Sequence, residues 1–330
     1  MFKFCCQTLL LFCLIFPING WSQQPYADGL AHTFSIVARD PESGEMGVAV
    51  QTHWFGVGTR VPWAEAGVGA IATQSFTNPS FGPRGLDLLK QGKSAEEALK
   101  ILIDSDEGRD VRQLAIVDAQ GRTAAWTGKR CIKDAGHINK DNFSVQANLM
   151  LRDRVWPAMA EAFEKAEGQL AERLLAALEA GQKAGGDIRG KQSAALIVVK
   201  KESTDKVWED RLIDLRIDDH PNPVQELKRL LTIYRAYRHM NAGDRALEKG
   251  EVETALREYS TAQEMYSDNL EMKFWPAVSL ANSGKVDESL PIFKELFSKD
   301  ENWRILTERL PASDLLKVTD EQLRRILDLK

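Results

Sequence analysis

The most regular hydrophobic pattern in the chain is an alternation with a period of two. Over residues 33–40, apolar Phe34 and Ile36 alternate with smaller or more polar neighbours, as in a β-strand whose two faces differ. Residues 41–44 have the composition of a turn, and residues 46–51 form a second short β-type run. The pattern therefore predicts a β-hairpin, around which the rest of the chain is organised.

The same reasoning predicts the elements that follow this hairpin. Strands are predicted at residues 68–74, 113–118, 122–127, 143–147, 194–199 and 211–217, and helices at residues 83–90, from 94 onward, at 155–166 and at 170–183. The helix after Ser94 has Glu97 three residues on, which is the pattern of a capping box. Short turns join neighbouring strands, so we expect mainly antiparallel sheets with helices on their outer faces, an α+β architecture.

Beyond these strands the pattern becomes helical and repeats itself. Two prolines within residues 218–223 indicate a boundary, so that a first domain over residues 33–221 precedes a second over residues 222–330. Gly250 and Gly284 lie thirty-four residues apart, a period typical of tetratricopeptide repeats. We therefore predict an all-α tetratricopeptide-like domain, with an unrelated helical hairpin as the alternative. Additional helices are expected at residues 223–240 and 314–329.

The amino-terminal segment has the pattern of an export signal. Lys3 is the only charge before an apolar run at residues 9–18, and this run is too short to span a bilayer. We expect a signal peptide over residues 1–22, then a leader over residues 23–32. This predicts a secreted or periplasmic protein without a membrane anchor once the signal is removed. An uncleaved amino-terminal anchor is the alternative.

Composition narrows the class of protein. Hydrophobic residues make up 43% of the chain and charged residues 28%, which is ordinary for a soluble globular protein. The net charge of −5 argues against nucleic acid as a partner. Cys131 is the one cysteine left after signal removal, so no disulfide within the mature chain is expected.

Nucleotide and metal chemistry have little support. Residues 185–191 have the spacing of a phosphate-binding loop, but Gln192 stands where Ser or Thr is needed. The loop also follows a helix and precedes a strand, the reverse of the required order. The five histidines lack the spacing of a zinc site. We therefore expect no metal and no cofactor.

Thr33 is the one nucleophile with a rationale in the sequence. If cleavage leaves Thr33 as the first residue, it carries both a hydroxyl nucleophile and a free α-amine that can act as its base. Thr is also a favoured strand residue, so the alternative is that Thr33 simply begins an ordinary strand.

Several segments in order resemble a bacterial and archaeal family catalogued as domain of unknown function 1028, placed in the Ntn-hydrolase superfamily. They are residues 33–40 (TFSIVARD), 47–51 (GVAVQ), 61–69 (VPWAEAGVG), 72–74 (ATQ), 186–195 (GDIRGKQSAA) and 218–223 (DDHPNP). The resemblance covers residues 33–230. It implies a four-layer αββα sandwich and an N-terminal nucleophile that attacks an amide. In many relatives the matching Thr follows the initiator Met, whereas Thr33 follows a signal and a leader.

Other site residues are predicted from their places at strand ends and in the Gly-rich loop. Asn148 and Gln74 are candidates for catalysis, because each would offer an amide donor to an oxyanion. Candidates for substrate binding are His53, Ser75, Asp187 and Arg189. Turn capping, a surface ion pair or, for His53, a structural hydrogen bond are the alternatives.

Two functions follow from these observations. The first is an exported Ntn-type amidohydrolase that cleaves a C–N bond in a small amide or peptide-like substrate with Thr33 as its nucleophile. The second is a noncatalytic binding module for a ligand or protein. In both, the helical tail would bind a protein partner or a second copy of the chain, giving a homo-oligomer in the latter case.

Overall fold

The computed structural model describes residues 30–204 and 206–329. The signal peptide and most of the predicted leader lie outside these residues. The strands are β1 Leu30–Ala31, β2 Thr33–Arg39, β3 Met46–Thr52, β4 Pro62–Glu65, β5 Gly69–Phe76, β6 Arg112–Asp118, β7 Thr123–Thr127, β8 Gly136–Lys140, β9 Phe143–Ala147, β10 Ser193–Val199 and β11 Arg211–Ile217. The helices are α1 Phe81–Lys90, α2 Ala95–Asp104, α3 Val155–Lys165, α4 Leu170–Lys183, α5 Val207–Asp210, α6 Pro223–Glu248, α7 Val252–Met265, α8 Glu271–Asn282, α9 Val286–Lys299, α10 Asn302–Arg309 and α11 Asp320–Leu327.

Two antiparallel sheets form the amino-terminal domain. The six-stranded sheet has the order β11-β10-β3-β2-β9-β8. The five-stranded sheet has the order β1-β5-β6-β7, with β4 also paired to β5. The described elements therefore form a β-rich domain followed by helices, which confirms the α+β prediction.

Three apolar clusters show how the layers pack. One joins the five-stranded sheet to α1 and α2, and a second lies between the two sheets. The third joins the six-stranded sheet to α3, α4 and the start of α6. The order of layers is therefore helices, sheet, sheet, helices. The alternation along β2 produces this arrangement, because Phe34 and Ile36 pack against the helices while Val37 faces the other sheet.

The local predictions were accurate where the pattern was strong. Ser94 accepts from the backbone of Glu97 and the Glu97 side chain accepts in return, so the capping box before α2 is confirmed. β4 and β8 were missed, because β4 has four residues and begins with Pro62, and β8 is mostly polar. The helix expected at residues 314–329 is shorter, since a capping box at Thr319 begins α11.

The carboxyl-terminal region is helical from α6 onward. α6 extends to Glu248, beyond the predicted end at residue 240, and no proline interrupts it after Pro223. Gly250 and Gly284 both have positive φ, 76° and 79°, and each lies two residues before the start of a helix, α7 and α9 respectively. The two glycines therefore occupy equivalent positions in successive helical pairs, and the tetratricopeptide assignment stays a prediction. Among the described residues, no helix combines the length and apolarity needed to cross a membrane.

α6 is shared by two cores. Val224, Leu227 and Leu231 belong to the cluster under the six-stranded sheet, whereas Ala236 and Met240 belong to a cluster with α7. The helical tail is therefore joined to the sandwich by a continuous helix.

Candidate functional site

One end of the space between the sheets is polar. Ala72, Ala115 and Val117 face the opposite sheet as part of the apolar cluster, yet Gln74 and Gln113 continue the same faces of β5 and β6. They lie directly opposite each other in the register. Ser35 and Gln146 are likewise paired between β2 and β9. All four side chains are buried, so this end of the core is a buried polar cluster.

Gln113 holds the centre of this cluster. Its side-chain nitrogen donates to the Thr127 hydroxyl at 2.8 Å and to the Ala147 carbonyl at 2.9 Å. Its side-chain oxygen accepts from Gln74 at 2.7 Å and from Asn148 at 2.9 Å. A buried polar group without a hydrogen bond would destabilise the fold. Because these groups have partners, the network instead makes this part of the core rigid.

The remaining polar residues extend the network to β2. The Ser35 hydroxyl donates to the side-chain oxygen of Gln74 at 2.6 Å, and Gln146 donates to Ser35 at 2.5 Å. The Ser144 hydroxyl donates to the Gln146 side-chain oxygen at 3.3 Å. The amide side chains thus connect both sheets beneath the start of β2.

Thr33 begins β2 above this cluster. It is fully buried and pairs with Thr52 of β3, and it lies on the same face of β2 as Ser35. Its carbonyl oxygen accepts from the Asn148 backbone at 3.1 Å and from the Gln74 side chain at 3.2 Å. Thr33 is therefore held at the point where the two sheets and the polar cluster meet.

His32, directly before Thr33, belongs to the same hydrogen-bond network. Its side chain is 2% exposed, and Nδ1 lies 2.7 Å from Oδ1 of Asn148. Its ring is perpendicular to the ring of Phe76, and the two centroids are 5.4 Å apart. Burial lowers the pKa of His32, and Arg189 lowers it further, while Asn148 and Asp187 act in the opposite direction.

The carbonyl of the His32–Thr33 peptide bond is held by two donors. Its oxygen accepts from the Thr52 hydroxyl at 2.5 Å and from Nη2 of Arg189 at 2.9 Å. A charged and a neutral donor thus converge on the carbonyl that precedes Thr33.

Asp187 holds Arg189 in this position. It accepts from the Arg189 side chain at 2.7 and 3.0 Å and from the Arg189 backbone at 2.9 Å. It also accepts from the backbone of His53 at 3.0 Å. Gly186 and Gly190 on either side have φ of 61° and 123°, values that favour glycine. The Gly-rich loop therefore curves so that Arg189 reaches the carbonyl before Thr33.

All of the residues predicted for the site lie around the His32–Thr33 peptide. Thr33, Gln74 and Asn148 are joined by hydrogen bonds, and Asp187 connects Arg189 to His53. Ser75 pairs with Ala31 of β1 and has a φ of 71°. The ring of His53 is half-exposed, with Nδ1 3.4 Å from the Lys191 carbonyl. The structure thus shows the placement of these residues, and their roles stay predictions.

The sequence analysis missed several participants. These are His32, Ser35, Thr52, Gln113 and Gln146. A signal was present for Ser35, Gln113 and Gln146, since each interrupts the inward apolar face of a strand. That signal becomes specific only when the order of strands brings these residues together.

A cysteine and a cavity are the other features that could indicate a functional site. Cys131 is half-buried, and burial raises the pKa of its thiol while the Ser75 hydroxyl lowers it in part. A cavity of about 600 Å³ lies elsewhere, between α1, β4, β10 and β11. None of the predicted site residues lines it, so we place the candidate site at Thr33, where buried polar groups converge. In residues 30–204 and 206–329, no group of three or more His, Cys, Asp or Glu side chains is arranged to hold a metal ion.

Comparison with known proteins gives the class of this domain. Residues 33–227 match a family model described as a family of unknown function, DUF1028. This match covers more than half of the chain, and the chain belongs to that family. The crystal structure of protein SPO2555 from Silicibacter pomeroyi, a DUF1028 protein, is similar, with a TM-score of 0.55 and 34% sequence identity. That likeness covers 61% of this chain and 88% of the other. No curated protein matches this sequence.

Replacing Gln113 tests the central role of its amide. Gln113→Leu removes the acceptor for Gln74 and Asn148 and the donor to the Ala147 carbonyl. We expect the free energy of unfolding to fall by about 2–3 kcal/mol, because buried partners lose their hydrogen bonds. Urea denaturation measures the change, with the exposed Gln120→Leu as the matched control. An equal effect of both substitutions would contradict a central role for Gln113.

The lowered pKa of His32 predicts a pH dependence in the uncut chain. Below the ordinary value of 6.5, the unfolded chain binds a proton at this residue more readily than the folded chain. Stability is therefore highest above about pH 6.5 and falls as the pH decreases toward the lowered value. In His32→Phe the ring remains and this titration is lost, so the urea midpoint of that variant should change less between pH 7.5 and 5.5. Identical changes would show that His32 does not titrate in this way. His137 also has a lowered pKa, but it is present in both the parent protein and the His32→Phe variant. It therefore does not contribute to the difference between them.

Proposed function

We propose that this protein is an exported amidohydrolase in which Thr33 becomes the nucleophile after cleavage of the His32–Thr33 bond. The observation that carries the proposal is the pair of donors, Arg189 and Thr52, on the carbonyl that precedes Thr33. A substrate carbonyl placed there would meet the same donors. The buried amides of Gln74 and Asn148 support the Thr33 backbone from below.

The chemistry needs only groups of the chain and water. The Thr33 hydroxyl attacks the substrate carbonyl carbon, and the free α-amine accepts the hydroxyl proton. Arg189 and Thr52 stabilise the negative charge on the carbonyl oxygen. The C–N bond breaks as the α-ammonium returns the proton to the leaving amine. Water then hydrolyses the ester on Thr33 and regenerates the enzyme.

In this proposal the amide side chains have a different role from the one the sequence suggested. Asn148 and Gln74 donate to the carbonyl of Thr33 itself, and not to the carbonyl that precedes it, where the substrate carbonyl would lie. They are therefore positioning residues, which hold the nucleophile still. Arg189 and Thr52 are the groups that touch the substrate.

Cleavage of the leader is necessary for this function. In the uncut chain the Thr33 nitrogen belongs to a peptide bond and cannot act as a base. In addition, Leu30–Ala31 pairs with β5, and His32 is buried directly before Thr33. Removing them would provide the base and open the site together.

A noncatalytic binding module is the second candidate. The observation in its favour is the close fit of the leader, since β1 pairs with β5 and His32 is buried against Asn148. A leader that stays in place would leave a closed and inactive site. In either case, we propose that the helical tail binds a protein partner or a second copy of the chain.

The start of the mature chain is the first test. We expect intact mass and N-terminal sequencing of the exported protein to show Thr33 as the first residue. With a panel of peptide amides as substrates, Thr33→Ser should retain turnover and Thr33→Ala should lose it without a change in unfolding midpoint. Turnover by Thr33→Ala equal to that of the parent chain would rule out nucleophilic catalysis by Thr33. A mature chain that begins before residue 33 would favour the binding module.

Arg189 tests the proposed stabilisation of the oxyanion. Arg189→Gln should lower kcat by roughly 10²–10³, the effect of removing one such donor, since the charge opposite the carbonyl is lost. Steady-state kinetics on the cleaved chain measures this effect. The control is Arg245→Gln, at an exposed position on α6. A change only in KM would assign Arg189 to ground-state binding instead.

A further inference from the structure

The place occupied by the leader has the features of a peptide-binding groove. β6 pairs with one edge of β5 along residues 69–75. On the other edge, β4 pairs with residues 69–72 and β1 pairs with Ser75 and Phe76. Removal of the leader therefore takes away the strand that pairs with Ser75 and Phe76 on this edge. Edges of this kind bind extended peptides by adding a strand.

The polar cluster fixes which chemical groups fit beside this edge. The Gln113 nitrogen donates to the backbone carbonyls of Ala147 and Gly136, at 2.9 and 3.3 Å. Backbone carbonyls only accept, so the orientation of the Gln113 amide is determined. Its oxygen must then face Gln74 and Asn148, which donate to it.

The same reasoning determines the orientation of Asn148. Its side-chain nitrogen donates to Gln113 and to the Thr33 carbonyl. Its oxygen therefore points the other way, toward Nδ1 of His32 at 2.7 Å. A side chain in the His32 position consequently meets a fixed acceptor and must offer a donor. The adjacent ring of Phe76, which is perpendicular to the His32 ring, favours a planar ring in this position.

We propose that the groove occupied by residues 30–32 is the acyl-side subsite for an extended peptide whose last residue is histidine or another ring that donates a hydrogen bond. The peptide pairs with Ser75 and Phe76 of β5, as Leu30–Ala31 does in the uncut chain. Its last side chain donates to Asn148, and its last carbonyl accepts from Arg189 and Thr52. This inference rests on the proposed function and names its class of substrate.

Binding to a catalytically inactive chain tests the subsite separately from catalysis. The protein carries the substitution Thr33→Ala and is cut so that residue 33 is first. The probe is acetyl-Leu-Ala-His-amide. The comparison peptide has 4-thiazolylalanine instead of histidine, which keeps the ring size but has no hydrogen on the equivalent nitrogen. Isothermal titration calorimetry gives both affinities.

We expect the histidine peptide to bind about ten-fold more tightly, because the thiazole nitrogen would face the Asn148 oxygen without a shared hydrogen. The uncut chain should bind neither peptide, since its own leader fills the groove. Equal affinities, or no binding to the cut chain, would overturn the proposal.

A pair of matched variants gives a second measurement. Phe76→Leu removes the aromatic ring that contacts His32 and should reduce the preference for histidine. Phe55→Leu makes the same change at an exposed position, 64% accessible, and should leave the preference unchanged. An unchanged preference in both variants would contradict a role of Phe76 in the subsite.

Failure of this inference and failure of the proposed function are distinguishable. Preferential binding of the histidine peptide by the cut Thr33→Ala chain, without amide turnover by the cut parent chain, would leave the subsite intact and reject the hydrolase. Turnover of peptide amides irrespective of their acyl-side residue would support the hydrolase and reject the subsite.

Discussion

The site depends on the fixed orientation of one buried amide. Gln113 donates to the backbone carbonyls of Ala147 and Gly136, which cannot donate in return. Through Gln74 and Asn148, this constraint reaches the main chain of Thr33 and the ring of His32. For each of these three amides, only one orientation satisfies its neighbours. The direction of every hydrogen bond between them is therefore fixed, although none of the groups is charged.

Much of the fold followed from local pattern, while much of the site did not. The alternation in β2 was sufficient to assign Phe34 and Val37 to opposite faces. Gln113, however, is 35 residues from Asn148 and 39 from Gln74. Their contact depends on strand order and register, which a single sequence does not specify. Thr33 was identifiable because its proposed chemistry needs only the residue itself and the chain end next to it.

The leader illustrates the difference between a cleavage signal and a structural element. Its sequence indicated a short segment to be removed, with no regular pattern of its own. In the structure, β1 adds to the sheet and His32 closes the polar cluster. Residues 30–32 therefore have a structural role in the uncut chain, although their sequence shows no regular pattern.

The continuity of α6 affects how this protein could be divided or recombined. The helix is 26 residues long, about 39 Å at 1.5 Å per residue, and Arg235 pairs with Glu172 of α4 near its middle. A fragment ending at residue 221 would lose Leu227 and Leu231 from the sandwich core. Exchange of tails between related proteins would consequently succeed only at a junction within this helix, beyond Leu231, so that each new tail inherits its orientation from the sandwich.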